Sequence, residues 1–142
     1  VAQCWLVPID GSDISLKPVA WVVEHLAEWK TAPTLHLLNV QPALPGDINR
    51  FIAAEQVREF HREEGLKALA AAEGQLKAAG LAPQLHVSVG DSAETITEFA
   101  ESRGCDQILI GTRGHSGLGG TLLGSVASKV AHLSKVPLLL VR

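Results

Sequence analysis

The sequence predicts an α/β fold, a doubly wound sandwich on one five-stranded parallel sheet with helices on both faces. Three observations carry this expectation. Five short segments, at 3–9, 34–40, 84–89, 106–110 and 137–141, are apolar runs or alternate apolar and polar residues, as strands do. The stretches between them have helix-forming composition or apolar residues at three- and four-residue spacing, so strand and helix alternate in a β-α-β-α-β-α-β-α-β order. Each crossover of that kind is right-handed and returns the chain over a sheet face, which makes the strands parallel. The chain's 142 residues suffice for one domain with a full core and are too few for two, and no internal repeat or low-complexity segment divides them. The expectation is a single domain over residues 1–142, with strand order 3-2-1-4-5.

Gln3 to Ile9 reads as a strand buried on both faces and leads into the turn-rich cluster Asp10-Gly11-Ser12-Asp13. From Leu16 to Lys30 a helix is expected, because Val19, Val22, Val23 and Leu26 form one stripe and Pro18 suits a first turn. Thr34 to Val40 is the second strand. Pro42, Pro45 and Gly46 make Gln41–Asp47 a loop. Ile48 to Ala79 is rich in Ala, Glu, Leu and Lys, but Gly65 and Gly74 leave open one long helix or two shorter ones. Gly80 and Pro83 stop it, and Gln84 to Val89 alternates as a third strand. Asp91 and Glu94, spaced as in a capping box, open a helix that Gly104 closes. Asp106–Ile110 is a strand, a further helix starts at Ser125, and Pro137–Val141 is the last strand.

Bulk composition excludes several function classes. A formal net charge of −3 leaves no basic footprint for nucleic acid or an anionic membrane. No apolar run approaches the length of a membrane span, and no signal-peptide pattern is present, so a cytoplasmic address is expected. Cys4 and Cys105 lie in or beside strands, far apart in sequence, and are expected as buried free thiols. The six histidines show no metal-ligand spacing, so a metal held by protein ligands alone is not expected. Trp5, Trp21 and Trp29 read as packing residues.

In a doubly wound sheet, ligands bind beyond the carboxyl ends of the strands, where the strand order reverses. Two turns there are unusual: acidic Asp10–Asp13, and residues 111–125, which hold six of the thirteen glycines. A strand, a glycine-rich turn and a helix opening at Gly124-Ser125 form a plausible phosphate cradle. Unpaired backbone N–H groups at a helix start attract anions, and glycine lets the backbone approach. It is not a P-loop, because Ser125 stands where lysine is needed after Gly119 and Gly124. Nor is it a dinucleotide fingerprint, since Gly117-Leu118-Gly119 is followed by Leu122 at the third glycine position.

What remains is G-x2-G-x9-G-S at Gly111, Gly114, Gly124 and Ser125. Together with Pro8-Ile9-Asp10-Gly11-Ser12, the strand order and the closing Pro137-Leu138-Leu139-Leu140-Val141, it resembles the ATP-binding branch of the universal stress protein family. The resemblance implies that Val40 offers backbone groups to the adenine edge, with Ile9 near the base. It implies that Asp10 reaches the ribose or the metal beside the phosphates. Gly111, Thr112, Arg113 and Gly114, with Gly124, Ser125 and Val126, would surround ribose and phosphates. The ligand would be ATP, ADP or AMP, with Mg²⁺ on the phosphates. Proteins of this family usually pair as homodimers through the last strand.

Residue chemistry agrees without the family. Asp10 can accept from ribose hydroxyls or bind a hard cation, though aspartate is also a common turn former. Ser125 can donate to a phosphate or simply cap a helix, and Arg113 can neutralise a phosphate or stay solvated. His115 has no evident triad partner. Leu138, Leu139, Leu140 and Val141 would form an uncharged edge strand, which invites two-fold pairing and a homodimer. The leading expectation is a nucleotide-binding regulatory protein of stress response with little or no hydrolysis. An adenylyl-transferring or ATP-pyrophosphatase enzyme and a nucleotide-free interaction module are the alternatives. Those enzymes carry HxGH or SGGxDS-like signatures, and Asp10 to Ser15 only loosely echoes the second.

Overall fold

A computed structural model describes residues 2–112 and 123–142. Strands β1 (Cys4–Pro8), β2 (Thr34–Gln41), β3 (Gln84–Val89), β4 (Gln107–Gly111) and β5 (Leu138–Val141) form one sheet. Its order is β3-β2-β1-β4-β5 and every neighbouring pair is parallel, which is the expected class and order. The helices are α1 (Lys17–His25), α2 (Gly46–Asn49), α3 (Ala54–Ala78), α4 (Ser92–Ser102) and α5 (Ser125–Leu133). Among the described residues no helix is long and apolar enough to cross a membrane.

Period-two alternation sorts the central strands into two cores. Trp5, Val7, Ile9, Leu35 and Leu37 face one side, where Val19 and Val22 of α1 and Leu69 and Leu76 of α3 cover them. Leu6, Leu38, Ile108 and Ile110 face the other, against Ile96 and Ala100 of α4 and Ala127 and Val130 of α5. A strand covered on both faces must be apolar at every position, which is why β1 reads as an unbroken run.

Two helical expectations are refined. The Leu16–Lys30 segment is α-helical only over Lys17–His25 and is flanked by 3-10 turns at Ile14–Leu16 and Leu26–Glu28. Trp29 leaves the helix in an extended conformation and sets its ring edge-on to Trp5, with centroids 4.8 Å apart. Of the two readings open for Ile48–Ala79, one long helix holds over Ala54–Ala78. Short α2 precedes α3, a 25-residue helix that neither Gly65 nor Gly74 interrupts. At Gly65 the cause is close packing: a Cβ there would stand 2.5 Å from both γ-carbons of Val87 on β3. The expected cap of α4 is present, with the Glu94 N–H donating to Asp91 Oδ2 at 3.1 Å.

Both cysteines are free, with Sγ atoms 3.4 Å apart. Burial, followed by the hydrogen bond from Cys4, pushes the Cys105 thiol up to about 12. Such a thiol stays protonated and unreactive as a nucleophile at neutral pH.

An imidazole pair, His36 buried and His86 half-buried, has a pH consequence. His36 Nδ1 and His86 Nε2 are 2.9 Å apart, and Phe99 of α4 packs against both rings. Burial lowers the pKa of His36, and the nearby Arg103 charge lowers it further. Burial lowers His86 too, then His36, then Arg103. The folded chain therefore binds fewer protons here than the unfolded chain around the ordinary imidazole pKa. Stability contributed by the neutral pair is present above that pKa and is lost as pH falls from it through the lowered folded values. Urea midpoints are expected to drop between about pH 8 and about pH 5.5, with a shallower drop in His86→Gln. Parallel profiles for the two proteins would contradict this assignment.

Candidate functional site

A cavity of about 410 Å³ opens at the carboxyl ends of β1, β2 and β4, where the strand order reverses. Its volume lies within the usual range for small-molecule sites. The walls are mainly apolar: Pro8 and Ile9 from β1 and its end, Leu38 and Val40 from β2, Ile110 from β4 and Ile96 from α4. Asp10, Ser15, Ser92 and Ser125 supply polar groups, with Gly111, Val126 and Ala127 completing the lining.

The position of each group follows from the local chain. Asp10 is the first exposed residue after buried β1, and its Oδ1 accepts from the backbone N–H and the hydroxyl of Ser12 at 2.8 and 2.5 Å. Aspartate thus builds the turn and presents a carboxylate at the cavity together, so the two roles expected of it are not exclusive. Ser15 is buried in the 3-10 turn and donates its hydroxyl to the Ser12 carbonyl at 2.8 Å. Ser92 and Ser125 are the first residues of α4 and α5, so two helix amino ends border the same space. Their orphan N–H groups and dipoles favour an anion there. Beside them Asp91 pairs with Lys129 at 3.3 Å. Its carboxyl is held below the usual range, chiefly by the Glu94 N–H and then by Lys129.

Gly111 closes the strand side. A Cβ at this position would lie 2.6 Å from the Ile14 carbonyl oxygen, so β4 and the 3-10 turn meet only because no side chain intervenes. Gly124 is the N-cap of α5, which puts Ser125 one residue inside the helix instead of at its cap. The Gly124 N–H donates to the Thr112 carbonyl at 2.5 Å, and the Thr112 N–H to the Val141 carbonyl at 3.1 Å. These bonds tie the start of α5 to the ends of β4 and β5.

Six of the expected site residues therefore line one cavity: Ile9, Asp10, Val40, Gly111, Ser125 and Val126. Thr112 and Gly124 frame it through backbone bonds without lining it. Arg113 and Gly114, like His115, lie outside the described residues. Sequence reasoning missed Ser15, Ser92 and Asn39. Asn39 is buried and donates to the Ile9 carbonyl at 2.9 Å, while its own carbonyl accepts from Gln41 Nε2 at 2.6 Å. A lone asparagine inside an apolar strand was the available signal, because such a group must find partners. Among the described residues no three His, Cys, Asp or Glu side chains cluster as a metal site.

Comparison with known proteins agrees with this architecture. Residues 5–142 match the profile described as "Universal stress protein family". The chain is 36% identical over 147 aligned positions to the universal stress protein YxiE of Bacillus subtilis, covering 96% of this chain and 97% of that one. It is 31% identical to the universal stress protein MJ0531 of Methanocaldococcus jannaschii, covering 96% and 80%. Among solved structures, hypothetical protein MJ0577 superposes with a TM-score of 0.82 at 26% identity, covering 98% and 94%. A universal stress protein in complex with cAMP does so with a TM-score of 0.66 at 28% identity, covering 99% and 96%. With matching sequence over nearly its whole length and the same parallel sheet, the chain belongs to the universal stress protein family.

Proposed function

We propose that this chain is an adenine-nucleotide-binding regulatory protein of stress response, working as one nucleotide-binding domain. The observation that carries the reading is the cavity itself. An apolar slot between Ile9, Leu38 and Val40 suits a flat base, and the α4 and α5 amino ends suit phosphate. A related chain bound to cAMP supports the same ligand class.

In this reading Val40 offers backbone groups to the adenine edge and Ile9 packs near the base. Asp10 accepts from the ribose hydroxyls or holds Mg²⁺ beside the phosphates. Gly111 and Thr112, with Arg113 and Gly114, close over ribose and phosphate from one side; Gly124, Ser125 and Val126 close from the other. Asp10 fits a cation that takes most of its oxygens from water and phosphate, which is how Mg²⁺ is usually held. Bound there, Mg²⁺ would neutralise phosphate charge. The sequence carries no P-loop lysine, so turnover is expected to be slow or absent. Titration with ATP, ADP and AMP tests the reading, and release of AMP and pyrophosphate at about 1 s⁻¹ would favour an enzyme instead.

The chain is further proposed to pair through β5. Among the described residues that strand has β4 on one side only, and Leu140 is 38% exposed. A two-fold contact between copies would cover both the open edge and the leucines. Light scattering at micromolar concentration is expected to give a dimer, and Leu140→Lys a monomer. A monomeric parent protein would contradict the pairing.

A further inference from the structure

A second cavity, of about 600 Å³, lies between α3 and the edge strand β3 and shares no lining residue with the first. It sits beside a close helix–sheet contact. At Gly65 the helix backbone presses on Val87, and one turn earlier the residue is His61, in the cavity wall. Val57 and Leu66 of the helix and Leu85, Val87 and Val89 of the strand supply apolar walls. Leu66 is 37% and Val89 48% exposed, so apolar surface in this groove's wall is open to a ligand.

The wall also holds unanswered polar chemistry. His61 is 5% exposed, and among the described residues its Nδ1 has no hydrogen-bond partner. A buried polar atom left unpaired costs free energy, so such groups are normally satisfied. Arg58 and Arg62 border the same cavity at positions i and i+4, with His61 between them on one helix face. Neither guanidinium pairs with a carboxylate among the described residues.

We propose that this groove binds a small amphipathic monoanion, a single carboxylate on an apolar body. The aliphatic walls receive the body, and they offer nothing that would recognise sugar or base. The two arginines meet the carboxylate with forked, charge-assisted hydrogen bonds. The His61 ring turns about its terminal torsion to add a donor to the head group.

Octanoate is a suitable probe, titrated into the full chain and followed by amide NMR. Saturable shifts are expected along 57–66 and 85–89, with Gly111 and Ser125 unmoved. Octanol, with the same tail and no charge, is expected to bind at least about tenfold more weakly, as is octanoate to the Arg58→Gln, Arg62→Gln double variant. Both arginines are exposed, so that variant should fold, and the octanol comparison needs no variant. Absence of saturable shifts at millimolar octanoate, equal affinity for octanol, shifts at Gly111 and Ser125 instead, or an unaffected double variant would each overturn the proposal.

Discussion

Gly111→Ala is expected to lower stability by about 1–3 kcal/mol and to weaken nucleotide binding by at least about tenfold. The added carbon would stand 2.6 Å from the Ile14 carbonyl oxygen and 3.3 Å from its carbon. These are backbone atoms, which no rotamer change can move aside. The 3-10 turn must therefore shift as a unit, carrying Ser15 away from its place in the cavity wall. Gly74→Ala is the matched control. Its Cβ meets nothing within 4 Å and lies inside α3, so helix propensity alone should stabilise by up to about 1 kcal/mol. Urea unfolding followed by tryptophan fluorescence compares them. A Gly111→Ala protein as stable as its parent would show that the turn yields freely and that the close approach is incidental.

Val40→Trp is expected to abolish nucleotide binding, by about a hundredfold or more, with little loss of stability. Val40 is half-buried near the end of β2, packs against the second core and lines the cavity. An indole would extend into space that is already open, so overpacking strain is smaller than in a filled core. Backbone groups of residue 40 remain in place while the volume for a base disappears. Loss of affinity with unchanged unfolding would assign the effect to occupancy of the slot. A Val40→Trp protein that binds nucleotide like its parent would place the base elsewhere.

Much of the architecture was legible because it rests on local pattern. β1 and β2 are covered on both faces, so apolar runs announce them, and the amphipathic stripe of α1 names its own buried side. The continuity of α3 was not legible, because the reason for Gly65 is Val87, more than twenty residues away in sequence and across a packing interface. The site divides the same way. Gly111, Gly124 and Ser125 stand out as spaced glycines and a serine, and Asp10 as a charge after a buried strand. Asn39 signals only that a polar group in an apolar strand needs partners, and Ser15 and Ser92 carry ordinary side chains in ordinary contexts. They acquire a role only when the sheet brings β1, β2, α4 and β4 to one end. His61 was one of several scattered histidines until burial without a partner distinguished it.

Isothermal titration of the full chain with ATP and Mg²⁺, beside the Val40→Trp variant, tests the central claim most directly. The account predicts saturable binding near one nucleotide per chain, competition by AMP, thermal stabilisation that grows with ligand concentration, and loss of all three in the variant. No heat and no thermal shift at millimolar nucleotide would contradict it.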